Sequence, residues 1–392
     1  MSAALPDKFR ISADFRFTAW QAKAVAAAVI GPMLLAAVWQ IVFMKDYITP
    51  AGPQLGGDYV VFWTAAKAMA AGDAAAIYDP AALKEWFARI APNGENLRLT
   101  WQYPPTYYFV IGFLALFPYG LGYAAWTGGG FAIFAVSARK AGVRGTAYLL
   151  ILLAPVAFQA AITGQNGFLT ASLFLGATLL PDKRPVVAGL CAALLTIKPQ
   201  LGLLIPIAYI AGGHWRAFGV AAAGAVLLAG ASVAVFGLHA WTAFFESVLG
   251  AGQNVGSGLM PLFKMPTVFA AASLAGAPAP LAAVFQLAGA AGAAFVTFIV
   301  WRKSDNAALK AAAVCIGAFL VAPYAYYYEM VIMAAPVALL AMQAAREGWR
   351  KYDHFILAEL FFVPLLMGEA AKTGINLFFV TTVLAMVFAL RR

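Results

Sequence analysis

AVAAAVIGPMLLAAVWQIVFM, residues 24–44, is an unbroken apolar run behind a basic stretch that carries Lys8, Arg10, Arg16 and Lys23. A helix needs about 20 apolar residues to cross a bilayer, and this run supplies them. It lacks a short core ending in a small-residue cleavage site, so it reads as a retained anchor rather than a signal peptide. Basic residues stay on the cytoplasmic side of such a span. The run therefore predicts a cytoplasmic tail over 1–23 and an outward-facing chain from residue 45.

The rest of the chain has the same character. Of its 392 residues 63% are hydrophobic and 11% charged, where a soluble protein averages about 25% charged. Those figures exclude a disordered chain and argue against a soluble globular domain, leaving a polytopic helical membrane protein. The basic residues recur between apolar runs, at Arg139/Lys140/Arg144, Lys183/Arg184, Arg216, Arg302/Lys303/Lys310, Arg346/Arg350/Lys351 and Arg391/Arg392. With all of these inside, the alternation of sides is consistent from residue 139 to the end. The outward segments are then near neutral, and the net charge of +10 is a topology signal that needs no nucleic-acid partner. The count is about 12 transmembrane helices in one integral domain, 1–392. Residues 105–117 and 264–277 are short enough to read as pieces that do not fully cross.

The long polar stretch, 45–103, lies on the outer side. Within it 59–71 and 80–91 read as two short amphipathic helices of the interfacial kind, the second opened by Asp79 as N-cap and Pro80 in its first turn. Cys191 and Cys315 sit in apolar runs, which implies neither a disulfide framework nor a thiolate metal site. His214, His239 and His354 are scattered, without HExxH spacing.

Ionisable groups near membrane depth are costly and mark function by default. Asp58 follows Gly56-Gly57, a turn that can bring a carboxylate close to a substrate. It is a candidate general base or, equally simply, the N-cap of the helix beginning at Tyr59. Lys198, with Pro199 and Gln200, interrupts an apolar run; its ammonium could hold a phosphate or merely snorkel to the interface. Gln165 and Asn166 could bind sugar hydroxyls or form a polar turn. Lys264 is a second phosphate contact or an interfacial anchor. Tyr328 and Glu329, closing the series Tyr324, Tyr326, Tyr327 and Tyr328, could stack on and orient a sugar, or belong to an aromatic belt. Tyr103 stands before Pro104-Pro105, a rigid corner.

Seven stretches in order carry a family resemblance: GGDYVVFWTAAKAMAAGDAAAIYD (56–79), WQYPPTYYFV (101–110), GQNGFLTASLFLGATLL (164–180), AGLCAALLTIKPQLGLLIPIA (188–208), FGLHAWTAFF (236–245), FKMPTVFAAASLAGAP (263–278) and APYAYYYEM (322–330). Together, over about 55–345, the chain resembles glycosyltransferase family 87, membrane-embedded transferases that use polyprenol-phosphate sugars and include phosphatidylinositol-mannoside mannosyltransferases. The resemblance implies a GT-C-type helical bundle in the bacterial cytoplasmic membrane with its site facing the periplasm. It implies inverting transfer of a hexose, with mannose the first candidate, from a polyprenyl-phosphate donor to a lipid or glycan acceptor. Asp58 of the GGD motif would be the general base, and Lys198, Lys264 or Arg98 would stabilise the leaving phosphate. Tyr103, Gln165, Asn166, Gln200, Tyr328 and Glu329 are the further expected substrate contacts. Glu329 departs from the family pattern, which has an Asp there. No cofactor and no metal ligands are expected. The competing reading is a transporter or flippase of a lipid-linked sugar, which predicts paired half-helices and inverted repeats.

Overall fold

The computed structural model describes residues 19–52, 54–97, 99–254 and 261–392. Lys8, Arg10, Arg16 and Arg98 fall outside these. Among the described residues the secondary structure is helical, with only two isolated bridges, Lys45 with Ile48 and Ile48 with Gln54. Five helical segments are long and apolar enough to cross a membrane: Tyr119–Ala141, Gly145–Thr163, Trp215–Phe236, Ala279–Lys303 and Tyr327–Glu347. They mark a membrane protein. Shorter apolar helices at Gly167–Leu179, Pro185–Ile197, Pro199–Gly212, Ala307–Val321 and Leu377–Leu390 pack among them. The opening run forms a 24-residue helix, Ala19–Val42.

The two ends of this bundle differ chemically. At one end the basic loops are tied to one another. Arg391 and Arg392 both pair with the buried Asp353 and donate to the carbonyls of Lys351 and Gly348. Asn306 donates to Gln343, and the Trp301 indole to the carbonyl of Lys310. At the other end the helix termini at Gly164, Lys198 and Tyr326 meet residues from the stretch before Tyr119.

That stretch builds a second, aromatic core. Phe62 is its hub, edge-on to Tyr103, Tyr107 and Trp126 with ring centroids 5.3–5.8 Å apart, an arrangement that aligns positive ring edges with negative faces. Both expected helices are present, as Tyr59–Ala70 and Pro80–Ile90. Asp79 caps the second, accepting from the Ala81 amide at 3.0 Å. This helix is amphipathic, burying Leu83 and Phe87. The first is covered on nearly every side, with nine of its residues buried, because residues 105–116 fold over it. There the chain runs through three consecutive short helical turns, Pro105–Tyr107, Tyr108–Ile111 and Gly112–Leu116. The other short piece holds one seven-residue helix, Val268–Leu274, capped by Thr267.

Candidate active site

Two glycine turns bring the GGD and GQN motifs together. Helix 155–163 ends at Gly164, whose φ of +67° is left-handed. A Cβ on Gly164 would lie 2.5 Å from that of Tyr59, so only glycine fits both the conformation and the space. The last carbonyls of an α-helix have no partner within it. Here the amide of Gly56 donates to Ile162 and that of Asp58 to Thr163, both at 2.9 Å. The GGD turn thus caps helix 155–163 with its backbone, and this sets the Asp58 side chain beside Gln165. Asp58 stands at the N-cap position of helix 59–70, but its side chain makes no capping hydrogen bond.

Lys198 reaches the same place by a different route. Pro199 disfavours helical geometry at the residue before it, and Lys198 breaks out with φ −134° and ψ 70°. Its ammonium turns inward, forms an ion pair with Glu329, and lies 5.4 Å from the centre of the Tyr103 ring. Both members of the pair are only 5% exposed. An ion pair this buried is worth keeping only if it is well satisfied, yet Oε2 of Glu329 has no hydrogen-bond partner among the described residues.

Gln165 joins the two halves. Its Nε2 donates to Asp58 Oδ2 and to the Tyr328 hydroxyl, each at 3.3 Å. Its Oε1 accepts from the Tyr103 hydroxyl at 3.2 Å. Asn166 donates to the Tyr107 hydroxyl at 2.9 Å and leaves its own Oδ1 unpartnered. Burial raises the Asp58 carboxyl above its ordinary range; hydrogen bonds from Gln165 and Tyr328 and the charge of Lys198 pull it back, while Glu329 pushes it up. Burial also raises the Tyr103 phenol, so it stays a neutral donor.

Six of the residues singled out in the sequence, Tyr103, Gln165, Asn166, Lys198, Tyr328 and Glu329, therefore form one network with Asp58, in which Gln165, Asn166, Lys198, Tyr328 and Glu329 are buried and Asp58 and Tyr103 half-buried. Gln200 and Lys264 are half-buried, and among the described residues neither is hydrogen-bonded to it. Lys264 lies over Phe263, in a turn packed on helices 367–373 and 377–390. The tyrosines of 324–328 do not form a surface belt. Tyr327 and Tyr328 are buried, the former donating to Gln159 and lying against Phe378. Tyr107 was missed from sequence: it stacks on Tyr103 at 4.4 Å and holds Asn166. Its spacing of four from Tyr103 across the Pro104-Pro105 corner was the available signal. Trp126, which donates to the Gly164 carbonyl at 2.9 Å, had none. No group of three or more His, Cys, Asp or Glu side chains that could hold a metal occurs among the described residues.

Chemically, the network offers a carboxylate with elevated proton affinity, a buried cation, two unpartnered acceptor oxygens and a stack of aromatic rings. A sequence model of glycosyltransferase family 87 matches residues 101–323. That span includes Tyr103 through Lys264 but neither Asp58 nor Glu329. No curated protein and no solved structure matches the chain.

Proposed function

Since the chain belongs to glycosyltransferase family 87 and so is a glycosyltransferase, we propose that it transfers a hexose, mannose being the first candidate, from a polyprenyl-phosphate donor to a lipid or glycan acceptor. The bundle is read as GT-C-type, with about 12 spans in the bacterial cytoplasmic membrane and the site on the extracytoplasmic side, away from the basic loops. The observation that carries the reading is the joining of Asp58 to the buried Lys198–Glu329 pair through Gln165 and Tyr103.

In this mechanism the Asp58 carboxylate takes the proton of an acceptor hydroxyl as that oxygen attacks the anomeric carbon. The bond from that carbon to the phosphate oxygen breaks, and the lipid phosphate leaves with the electron pair. One displacement inverts the anomeric centre and needs only one carboxylate at the reacting atoms. A lysine ammonium has three donors. Glu329 takes one and the Tyr103 ring faces the charge, which leaves Lys198 able to meet an incoming oxyanion. Tyr103, Gln165, Asn166 and Tyr328 supply the hydroxyl partners and ring faces for the sugar. Lys264 and Arg98 are assigned to the lipid phosphate and Gln200 to the bound substrate, and the step uses no metal.

The test is to give protein in nanodiscs either undecaprenyl-phosphate-[14C]mannose or GDP-[14C]mannose, together with a membrane lipid extract. A new labelled glycoside is expected from the lipid-linked donor alone. Transfer from the nucleotide sugar overturns the donor assignment, and movement of intact lipid-linked sugar across sealed vesicles holding the protein, with no new glycoside, identifies a flippase.

A pH profile checks the base. Asp58 acts only when deprotonated, so kcat/KM falls as pH drops through its raised pKa, and the acid limb lies above that of an ordinary aspartate. Gln165→Leu removes a hydrogen bond that favours the charged form, the second-largest influence on this carboxyl. The limb of that variant is therefore expected to move to still higher pH. An unmoved limb would assign the titration to another group.

A further inference from the structure

Gln286 is the one polar side chain between Ala279 and Val296 of the long helix 279–303, and it is only 6% exposed. A polar group inside a membrane helix is costly and is kept where it meets partners. Here the partners are backbone groups of two other helices. Its Oε1 accepts from the Phe269 amide at 2.9 Å, and its Nε2 donates to the Leu320 and Val321 carbonyls at 2.8 and 3.1 Å. Each is a group that its own helix leaves unpaired, the amide in the first turn of helix 268–274 and the carbonyls in the last turn of helix 307–321. Gly289, one turn further along, faces the same two elements. A Cβ there would lie 2.6 Å from Val268 Cγ2 and 3.6 Å from the Leu320 carbonyl.

Both elements continue into residues given roles above. Lys264 precedes helix 268–274, and the Met265 carbonyl after it accepts from Asn376 at 2.8 Å. On the other side Pro323 follows the end of helix 307–321, and a short link, extended at Ala322 and Tyr326, leads to Tyr328 and Glu329. One amide therefore ties the segment of Lys264 to the segment that supplies the ion-pair partner of Lys198. We propose that Gln286 is a positioning residue for sugar transfer, holding Glu329 in place by docking residues 262–274 against the end of helix 307–321. An apolar side chain of similar size leaves all three backbone groups unpaired in the apolar layer, and both segments loosen together. The inference rests on the role given above to the Lys198–Glu329 pair and adds what keeps that pair in register.

The experiment follows amide hydrogen exchange of the full chain in nanodiscs. Gln286→Met is expected to speed exchange roughly 10-fold or more in both 268–274 and 322–331. Thr267→Val removes the cap of helix 268–274 and leaves the Gln286 bonds alone, so it is expected to speed exchange in 268–274 only. Faster exchange in 268–274 with 322–331 as in wild type overturns the coupling for Gln286→Met. Equal loosening of 322–331 by Thr267→Val assigns the coupling to the short helix and removes Gln286 from it. The single-turnover rate constant with undecaprenyl-phosphate-mannose is expected to fall roughly 10- to 100-fold in Gln286→Met, as for a small misplacement of reacting groups, and to stay unchanged in Thr267→Val. A merely structural Gln286 lowers the amplitude with the folded fraction and leaves the rate constant at the wild-type value, which overturns the positioning role. Where Gln286→Met does not fold, Gln286→Glu decides. It keeps an acceptor for Phe269 and gives up a donor, so 322–331 should loosen and 268–274 should not; any other pattern overturns the proposal. Exchange needs no substrate, so the two readings fail separately. Joint loosening without transfer from the lipid-linked donor upholds the coupling and overturns the donor. Wild-type transfer with unchanged exchange in Gln286→Met does the reverse.

Discussion

Asp58→Asn is expected to leave a folded protein whose sugar transfer is slower by about 10²- to 10⁴-fold, the usual weight of a positioned general base. The substitution is nearly isosteric and keeps an oxygen to accept from Gln165. The GGD turn is held to helix 155–163 by the amides of Gly56 and Asp58, and those bonds are indifferent to the side chain. Because the carboxylate makes no cap bond to helix 59–70, stability should change little. What is removed is the capacity to take a proton. Single-turnover rates at saturating donor, set beside a melting curve of the nanodisc protein, separate the outcomes. A collapsed rate with an unchanged melt identifies the base. A lowered melt with an unchanged rate would instead mean that Asp58 serves the turn alone, and full activity would remove it from the mechanism.

The second large effect concerns the pair at the other side of Gln165. Lys198→Met leaves the Glu329 carboxylate buried without its cation, and one of its oxygens already lacks a partner. Removing one member of a buried pair costs about 3–5 kcal/mol, whereas replacing both by apolar groups of similar size is often neutral. The single variant is therefore expected to melt much earlier than wild type, and Lys198→Met/Glu329→Met to regain most of the loss. Activity should not follow. The double variant lacks the cation proposed to meet the lipid phosphate, so it is expected to stay folded with donor transfer lost. Recovery of both stability and transfer would mean that the pair is structural only, and no recovery of either would place the effect of Lys198 outside its pairing with Glu329.

The features legible in the sequence were those written in local pattern. Asp79-Pro80 announced a cap and the structure has it, because both the acceptor and the restricted φ belong to adjacent residues. Helix 59–70 began where its motif said, and the pieces at 105–117 and 264–277 hold only short helices, in keeping with their length. Family membership was legible from the order of seven motifs. The pairings across the fold were not. Nothing local to Lys198 names Glu329, 131 positions away, and nothing near Gly56 shows that its amide will close the end of helix 155–163. The expected one-sided face of helix 59–70 was lost for the same reason. Its outer surface is covered by residues 105–116, and whether a face is exposed depends on a neighbour that periodicity does not see.

That the network draws on Asp58, Tyr103, Gln165, Lys198 and Glu329 has a consequence for how the protein is made. The ribosome delivers these residues in order, and the last arrives well after the first four. Until the segment bearing Glu329 has been inserted, Lys198 lacks its ion-pair partner and Gln165 lacks the Tyr328 hydroxyl. A half-made chain therefore holds an ammonium without its ion-pair partner, a state that favours waiting in water over settling into the bundle. Closure of the ion pair is then a late event, and it couples completion of the proposed site to completion of the fold.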